Sequence, residues 1–429
     1  MEDLLLPNSS KTSKFAKRLG MLSSKTYAPD SIMQYFKYIL FTIVGLLIPS
    51  ICLNADESRD STTSKTIHRF GIEIHPSYVI PTHKFIRGKN FNKQPIRFAV
   101  SGHLKYAFHF KEGSKFNQLY PHAYQGIGLA YGTFANAPEL GSPMGIYVFQ
   151  GSRIKRYSEK LTLDYEWSFG VTCGWHEYDR TNNKYNHVIG TDIDAYMNLG
   201  IMLNWKLSSH YQLTAGLSLS HFSNANTHHP NQGVNILETK LGISRTFGET
   251  NNRGEFKPSE LPSVRIPRHI SYDLIAYGAF RVREFNRGKK KYIPDHEFGV
   301  CGINFNPMYH FNNNLSAGGS LDLQYDASSN LENHVAEIEG SKVTFHKQPF
   351  NERISAGISI RGEWAMPIFA INGGIGYNFY AKSFDTQKFY QILAMKIFVN
   401  RKLFIHIGYQ MNQFKDPNNL MLGLGYRFH

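Results

Sequence analysis

Apolar and polar residues alternate along this chain in segments of roughly ten residues, from near residue 70 to the C-terminus. From Leu213 the odd positions run Leu213, Ala215, Leu217, Leu219, His221, Ser223, and the even ones Gln212, Thr214, Gly216, Ser218, Ser220, Phe222, Asn224. A period of two places these sets on opposite faces of a β-strand. Repeated many times in a Tyr-, Phe- and Gly-rich chain, the pattern predicts an antiparallel transmembrane β-barrel of the outer-membrane type, apolar toward lipid and polar toward its interior. Strands are predicted over residues 71–80, 96–110, 126–134, 144–154, 161–175, 195–207, 211–224 and 235–247 in the first half. The second half gives 269–285, 297–311, 315–325, 353–364, 368–380, 389–399, 403–410 and 420–428.

Between the two sets lies GETNNRGEFKPSELPSVRIPRH, a polar, three-proline stretch that predicts a linker over 249–268. The halves echo one another, which predicts an internal duplication: an all-β fold with about eight strands per repeat, residues 69–248 and 269–429. Two eight-stranded barrels are expected, with one larger sixteen-stranded barrel as the alternative. The last strand alternates Leu420, Leu422, Leu424, Tyr426, Phe428 with Met421, Gly423, Gly425, Arg427, and Phe247 closes the first repeat in the same aromatic style.

Residues 1–55 read differently. A polar, basic extension to residue 32 precedes Met33, Lys37, an apolar run from Tyr38 to Leu47, Pro49 and Ala55, which predicts a cleaved signal peptide, Met33 being its start. That run is too short to span a bilayer as a helix. Ile51 before Cys52 argues against lipid anchoring, and Cys173 with Cys301 are too few for a disulfide framework. The formal charge of +14 falls to about +11 without the leader, which carries six basic and three acidic residues. For an exported barrel, anionic lipid head groups suit that charge better than nucleic acid, and solvated loops account for most of it.

The chemistry concentrates in SLSHFSNANTHHPNQGVN. His221 and Ser223 fall at the outer end of the seventh strand, on its lipid-facing row. On the eighth strand Asn235 shares that face with Leu237, Thr239, Leu241 and Ile243, whereas Glu238 and Lys240 point inward. Ser223 is therefore the candidate nucleophile, His221 its general base, and Asn235 the residue that orients the imidazole. Asn231 and Asn224 are candidate amide donors to an oxyanion. His228 and His229, even with His176, Glu177 and Asp179, lack any recurring ligand spacing, and no metal site is assigned. The cluster Arg287-Gly-Lys-Lys-Lys is a turn whose cations could meet lipopolysaccharide phosphates.

The string His221-Phe-Ser223-Asn224-Ala225 followed by Pro230-Asn231-Gln232-Gly233 resembles the lipid A 3-O-deacylase (PagL) family, also called acyloxyacyl hydrolase. That resemblance covers about residues 69–248 and is sharp over 221–235. It implies an eight-stranded outer-membrane barrel, with Ser223 as nucleophile, His221 as base, Asn231 as oxyanion donor, and lipid A or lipopolysaccharide acyl chains as substrate without a cofactor. Where the family places an orienting Glu, fourteen residues after the His, this chain has Asn235. Outer-membrane phospholipase A is similar over the same short motif and uses Asn at that offset; this alternative implies a larger barrel, calcium and a homodimer. A binding or pore barrel without enzymatic activity is the third reading. In the second repeat Tyr409, Met411 and Asn412 stand where the first has its His-x-Ser-Asn, so that repeat is expected to be non-catalytic.

Overall fold

The computed structural model describes residues 66–428 except 111–114, 136, 248–265, 289, 295, 340, 341 and 415. The segment 1–55 and most of the connection 249–268 lie outside the described residues. Strands β1 (Thr66–Val79), β2 (Phe98–Phe110), β3 (Tyr124–Phe134), β4 (Gly141–Arg156), β5 (Leu161–Trp175), β6 (Ile193–Lys206), β7 (Tyr211–Ser223) and β8 (Val234–Phe247) pair in that order, and β8 returns to β1. In the second half β9 (His269–Arg281) is followed by a small hairpin, β10 (Phe285–Arg287) and β11 (Lys290–Tyr292), and then by β12 (Phe298–His310) and β13 (Leu315–Asp326). A second hairpin, β14 (Val335–Glu339) and β15 (Lys342–Phe345), precedes β16 (Ile354–Ala365), β17 (Phe369–Ala381), β18 (Phe389–Phe398), β19 (Leu403–Asn412) and β20 (Asp416–Phe428). Here the eight long strands close through β20 on β9.

Each sheet thus closes on itself and the single sixteen-stranded barrel is excluded. All sixteen expected strands form. The two hairpins were not expected, because strands of three to five residues in loops are too short to display a period of two.

Each barrel has one end of short turns, such as residues 157–160 and 207–210, and one end of longer connections, such as 80–97, 176–192 and 224–233. The outward rows are apolar and bare: Ile72, Leu199, Leu217 and Ile360 are all more than half exposed, as a lipid-solvated wall requires. Inside the first barrel, Lys105 sits 2.6 Å from Glu166 and 3.0 Å from Glu73, and Lys240 is 3.3 Å from Glu166. Above this polar layer, toward the loop end, Phe134, Tyr147, Trp175, Tyr196 and Phe222 join loop residues Phe85, Ile86, Val188 and Ile189 in one apolar plug. The second barrel centres instead on Asp273 and Glu363, both paired with Lys396 and Arg427.

One wall of the first barrel is covered. The outward positions Gln125, Gln150 and Trp167 are register neighbours across β3, β4 and β5, and all are buried. Trp167 Nε1 donates to Gln150 Oε1 at 2.7 Å, and its indole meets Phe369 of the second barrel edge-on at 5.0 Å between ring centres. Met366 Sδ lies 3.3 Å from the same Nε1, and Tyr165 packs on Trp364 at 5.5 Å. Near the turn end, Tyr120 donates its hydroxyl to the Asn313 carbonyl at 3.2 Å. The two barrels therefore meet wall to wall and cover the Gln150–Trp167 pair together with Gln125, whose amide has no hydrogen-bond partner among the described residues. Trp167→Ala removes the hydrogen bond and the ring packing together, a loss of about 3 kcal/mol for a buried large-to-small change. With a protease site inserted between the barrels, cleaved wild-type halves are expected to stay together in mild detergent and Trp167→Ala halves to separate. Variant halves that still co-purify would show the contact to be incidental.

Candidate active site

His221 and Ser223 meet because β7 runs straight through both. Two residues apart on one pleated face, their side chains project in the same direction, and Ser223 Oγ lies 3.0 Å from His221 Nε2. Asn235 meets them by register: His221 and Asn235 are direct cross-strand partners of β7 and β8, and Asn235 Oδ1 lies 2.8 Å from His221 Nδ1. A carbonyl oxygen only accepts, so Nδ1 carries the ring proton and donates it to Asn235. That leaves Nε2 with a free lone pair to accept from the Ser223 hydroxyl. The relay Ser223–His221–Asn235 is in the protonation pattern that a serine nucleophile needs before attack.

Parity explains which acid is absent from it. Glu238, three residues beyond Asn235, faces the interior, where Ser218, Ser220 and Asn198 donate to it and His75 pairs with it at 3.3 Å. No rotation of its side chain brings it round the wall to His221. The Asn235 backbone is fixed as well, since its carbonyl accepts from Ile80 N–H at 2.9 Å.

The connection 224–233 is built around the relay. Gly233 has a φ of +70°, which few residues other than glycine adopt. Its Cα also passes so close to the imidazole that a Cβ would stand 2.8 Å from His221 Cε1. This segment is held from behind by the β5–β6 connection: Gln232 N–H donates to the His187 carbonyl at 3.2 Å and Gly233 N–H to that of Val188 at 2.9 Å. Gly190 completes the contact, for a Cβ there would be 2.3 Å from the Pro230 carbonyl oxygen. The loop buttress at 187–190 and the role of Gly233 were not foreseen from sequence. The one local signal was the glycine closing the Pro-Asn-x-Gly turn.

The two candidate oxyanion donors separate. Asn224 faces away from the relay, 6% exposed, and its Nδ2 is spent on the His228 carbonyl at 3.0 Å. Its side chain organises the loop and is not directed at a substrate carbonyl, contrary to the expectation from sequence. Asn231 Oδ1 accepts from the N–H of Asn224, the residue next to Ser223, at 3.2 Å. Among the described residues its Nδ2 has a long 3.4 Å contact with Asn226 Oδ1, a weak partner that a developing negative charge could displace.

Around the relay the wall is apolar. Met197 is the β6 partner of His221, Leu199 pairs with Leu219, and Leu219 with Leu237, all on the exposed outward row. Ala195 pairs with Ser223, and its single methyl leaves the hydroxyl uncrowded on that side. Among the described residues, no group of three or more His, Cys, Asp or Glu side chains converges as a metal site would require. In the second barrel the corresponding seventh strand, β19, carries Tyr409 and Met411, paired with Leu420 and Pro417.

Residues 102–244 match the family model of the lipid A 3-O-deacylase (PagL), and residues 270–429 match that of the acyloxyacyl hydrolase, C-terminal domain. None of the curated proteins matches the chain. Among solved structures, Neisserial surface protein A is 9% identical, covering 44% of this chain and 100% of its own, at a TM-score of 0.28. Ail, the attachment invasion locus protein of Yersinia pestis, is 11% identical, covering 43% and 99%, at a TM-score of 0.24. With one match on each barrel, the chain belongs to the lipid A 3-O-deacylase (PagL) and acyloxyacyl hydrolase family.

Proposed function

We propose that this protein is an outer-membrane serine esterase that hydrolyses an ester-linked acyl chain of lipid A. The observation that carries the reading is the Ser223–His221–Asn235 relay on the outward wall of β7 and β8. A soluble esterase must draw its lipid out of the bilayer. A relay on the lipid-facing row meets the acyl chain from the side, with the chain lying along Met197, Leu199 and Leu219.

Ser223 Oγ attacks the ester carbonyl as His221 Nε2 takes its proton, and the tetrahedral oxyanion forms. Asn231 Nδ2 is the side-chain donor best placed to stabilise that charge, an interaction worth ~3 kcal/mol in comparable sites. The imidazolium, steadied through Nδ1 by Asn235, protonates the departing sugar oxygen. An acyl-serine remains, and water, deprotonated by His221, releases the fatty acid and restores Ser223. The second barrel supports the first in the membrane without a relay of its own. Residues 1–55 supply export by a cleaved signal peptide.

A phospholipase A reading is the one alternative with an observation behind it. Asn235 accepts from His221 where a deacylase would place Glu, and that reading brings calcium and a dimer with it. Mass spectrometry of lipid A and phospholipids from cells expressing the protein separates the two. The expected outcome is loss of one hydroxyacyl chain from lipid A, abolished in Ser223→Ala and His221→Ala by at least ~1,000-fold and unaffected by chelators. Lysophospholipid in place of deacylated lipid A would move the assignment to the alternative.

Two further variants test the geometry. Asn235→Ala lets the imidazole swing and is expected to lower kcat by about 10- to 100-fold with the barrel intact. Gly233→Ala places a methyl against His221 Cε1 and is expected to fall by a similar factor without loss of the heat-modifiable folded band. Full activity in Gly233→Ala would mean that the imidazole does not need this seat.

A further inference from the structure

The connection between β1 and β2, residues 80–97, holds Lys84, Arg87, Lys89, Lys93 and Arg97 and neither Asp nor Glu. All five cations are exposed. The neighbouring β5–β6 connection offsets Arg180 and Lys184 with Glu177, Asp179 and Asp192, so the net positive charge gathers at β1–β2, where Glu139 of the β3–β4 connection touches the loop.

A loop that only needs solvation has no reason to be rigid, and this one is built from beneath. Phe85, Ile86 and Ile96 are at most 2% exposed and belong to the apolar plug. Ile96 N–H donates to the Ile86 carbonyl at 2.9 Å. Asn90, itself buried, donates from Nδ2 to the carbonyls of Phe85 and Gln94 and accepts from Gln94 N–H. Phe91 N–H donates to Glu139 Oε1 at 2.7 Å, tying the loop to the β3–β4 connection. The backbone that carries the five cations therefore stands in a fixed layout. Burial, and after it the neighbouring His187, Arg87, Lys84 and Lys89, push His83 below the ordinary histidine range.

The loop also borders the relay. It begins where Ile80 N–H meets the Asn235 carbonyl. The His83 ring lies 6.0 Å from that of His187, whose carbonyl holds Gln232 next to Gly233.

We propose that this loop is a phosphate-binding platform that takes the phosphates of an anionic glycolipid and presents that lipid's acyl ester to Ser223. Its second clause rests on the esterase reading. A phospholipid head group carries one phosphate on a flexible stem. Several cations on a fixed backbone match a ligand whose phosphates are themselves fixed on a rigid sugar, because neither scaffold then has to be ordered on docking. Lys supplies point charges and Arg paired donors to phosphate oxygens.

The test uses the full chain in detergent carrying Ser223→Ala, so that binding is measured without turnover. Its probes are bisphosphorylated lipid A, the same lipid A with both phosphates removed, and phosphatidylglycerol. Binding of the bisphosphorylated form is expected to be about tenfold tighter than that of the other two. The quadruple change Lys84→Gln, Arg87→Gln, Lys89→Gln, Lys93→Gln should erase that preference, and the set Lys84→Arg, Lys89→Arg, Lys93→Arg should retain it, with heat-modifiable mobility confirming the fold in both. Equal binding of all three lipids, or a preference that survives the glutamine set, overturns the platform. If phosphate-dependent binding is found while the Ser223 chain cleaves no lipid, the esterase reading fails and the platform stands. If cleavage occurs with no phosphate preference, the platform fails alone.

Discussion

Everything on the outer wall of these barrels is governed by one constraint: a polar side chain that faces lipid must be partnered or covered, because hydrocarbon offers it nothing. The wall meets that constraint in two ways. At the loop end of β7 and β8, Ser223, His221 and Asn235 satisfy one another in a line, each donor aimed at the next acceptor. Across β3–β5, Gln150 and Trp167 bond to each other and the second barrel covers them. The first arrangement stays open to the bilayer and the second is closed off from it. Openness, rather than residue type alone, makes the relay a candidate for chemistry and the amide–indole pair a joint.

Much of this was legible in the sequence. A period of two is a property of the strand itself, so alternation alone located sixteen strands and put His221, Ser223 and Asn235 on one face, with Glu238 on the other. What the alternation could not carry was anything decided by loops crossing one another. Gly233 serves His221 only because the β5–β6 connection pins residues 232 and 233 from behind, a contact between segments more than forty residues apart. Asn224 looked like a donor to substrate because it follows Ser223. Its even position turns it off the lipid face and into the loop's own hydrogen bonding. The covered row on β3–β5 was invisible for a related reason, since a glutamine on an outward position reads as an interruption until the surface that buries it is known.

The relay is held by an amide, and the reason lies in how the eighth strand divides its residues. Glu238 is consumed in the interior network with His75, Ser218, Ser220 and Asn198. Its burial on that side makes it a structural group whatever the site does. The orienting position then falls to the residue that register sets opposite His221, which is Asn235. An amide fixes the tautomer as well as a carboxylate does, through the same Nδ1–H bond. It stabilises the imidazolium less, because it carries no charge to set against the one that develops. A relay of this kind depends more on geometry than on electrostatics, and the tight seat that Gly233 gives the imidazole is what such a dependence demands.

The location of the second barrel follows from the same ring arithmetic. In a closed ring of eight, β4 and β8 are four strands apart, half the circumference. The seam with the second barrel lies along β3–β5, and the relay lies at β7–β8. The companion barrel therefore covers the wall farthest from Ser223 and leaves the β7–β8 wall facing free lipid. Docked one quarter-turn nearer, it would bury Met197 and Leu199, the exposed apolar row beside His221. The second barrel carries Tyr409 and Met411 on the strand that corresponds to β7. It gives the first barrel a fixed neighbour along β3–β5, and so fixes which wall stays bare.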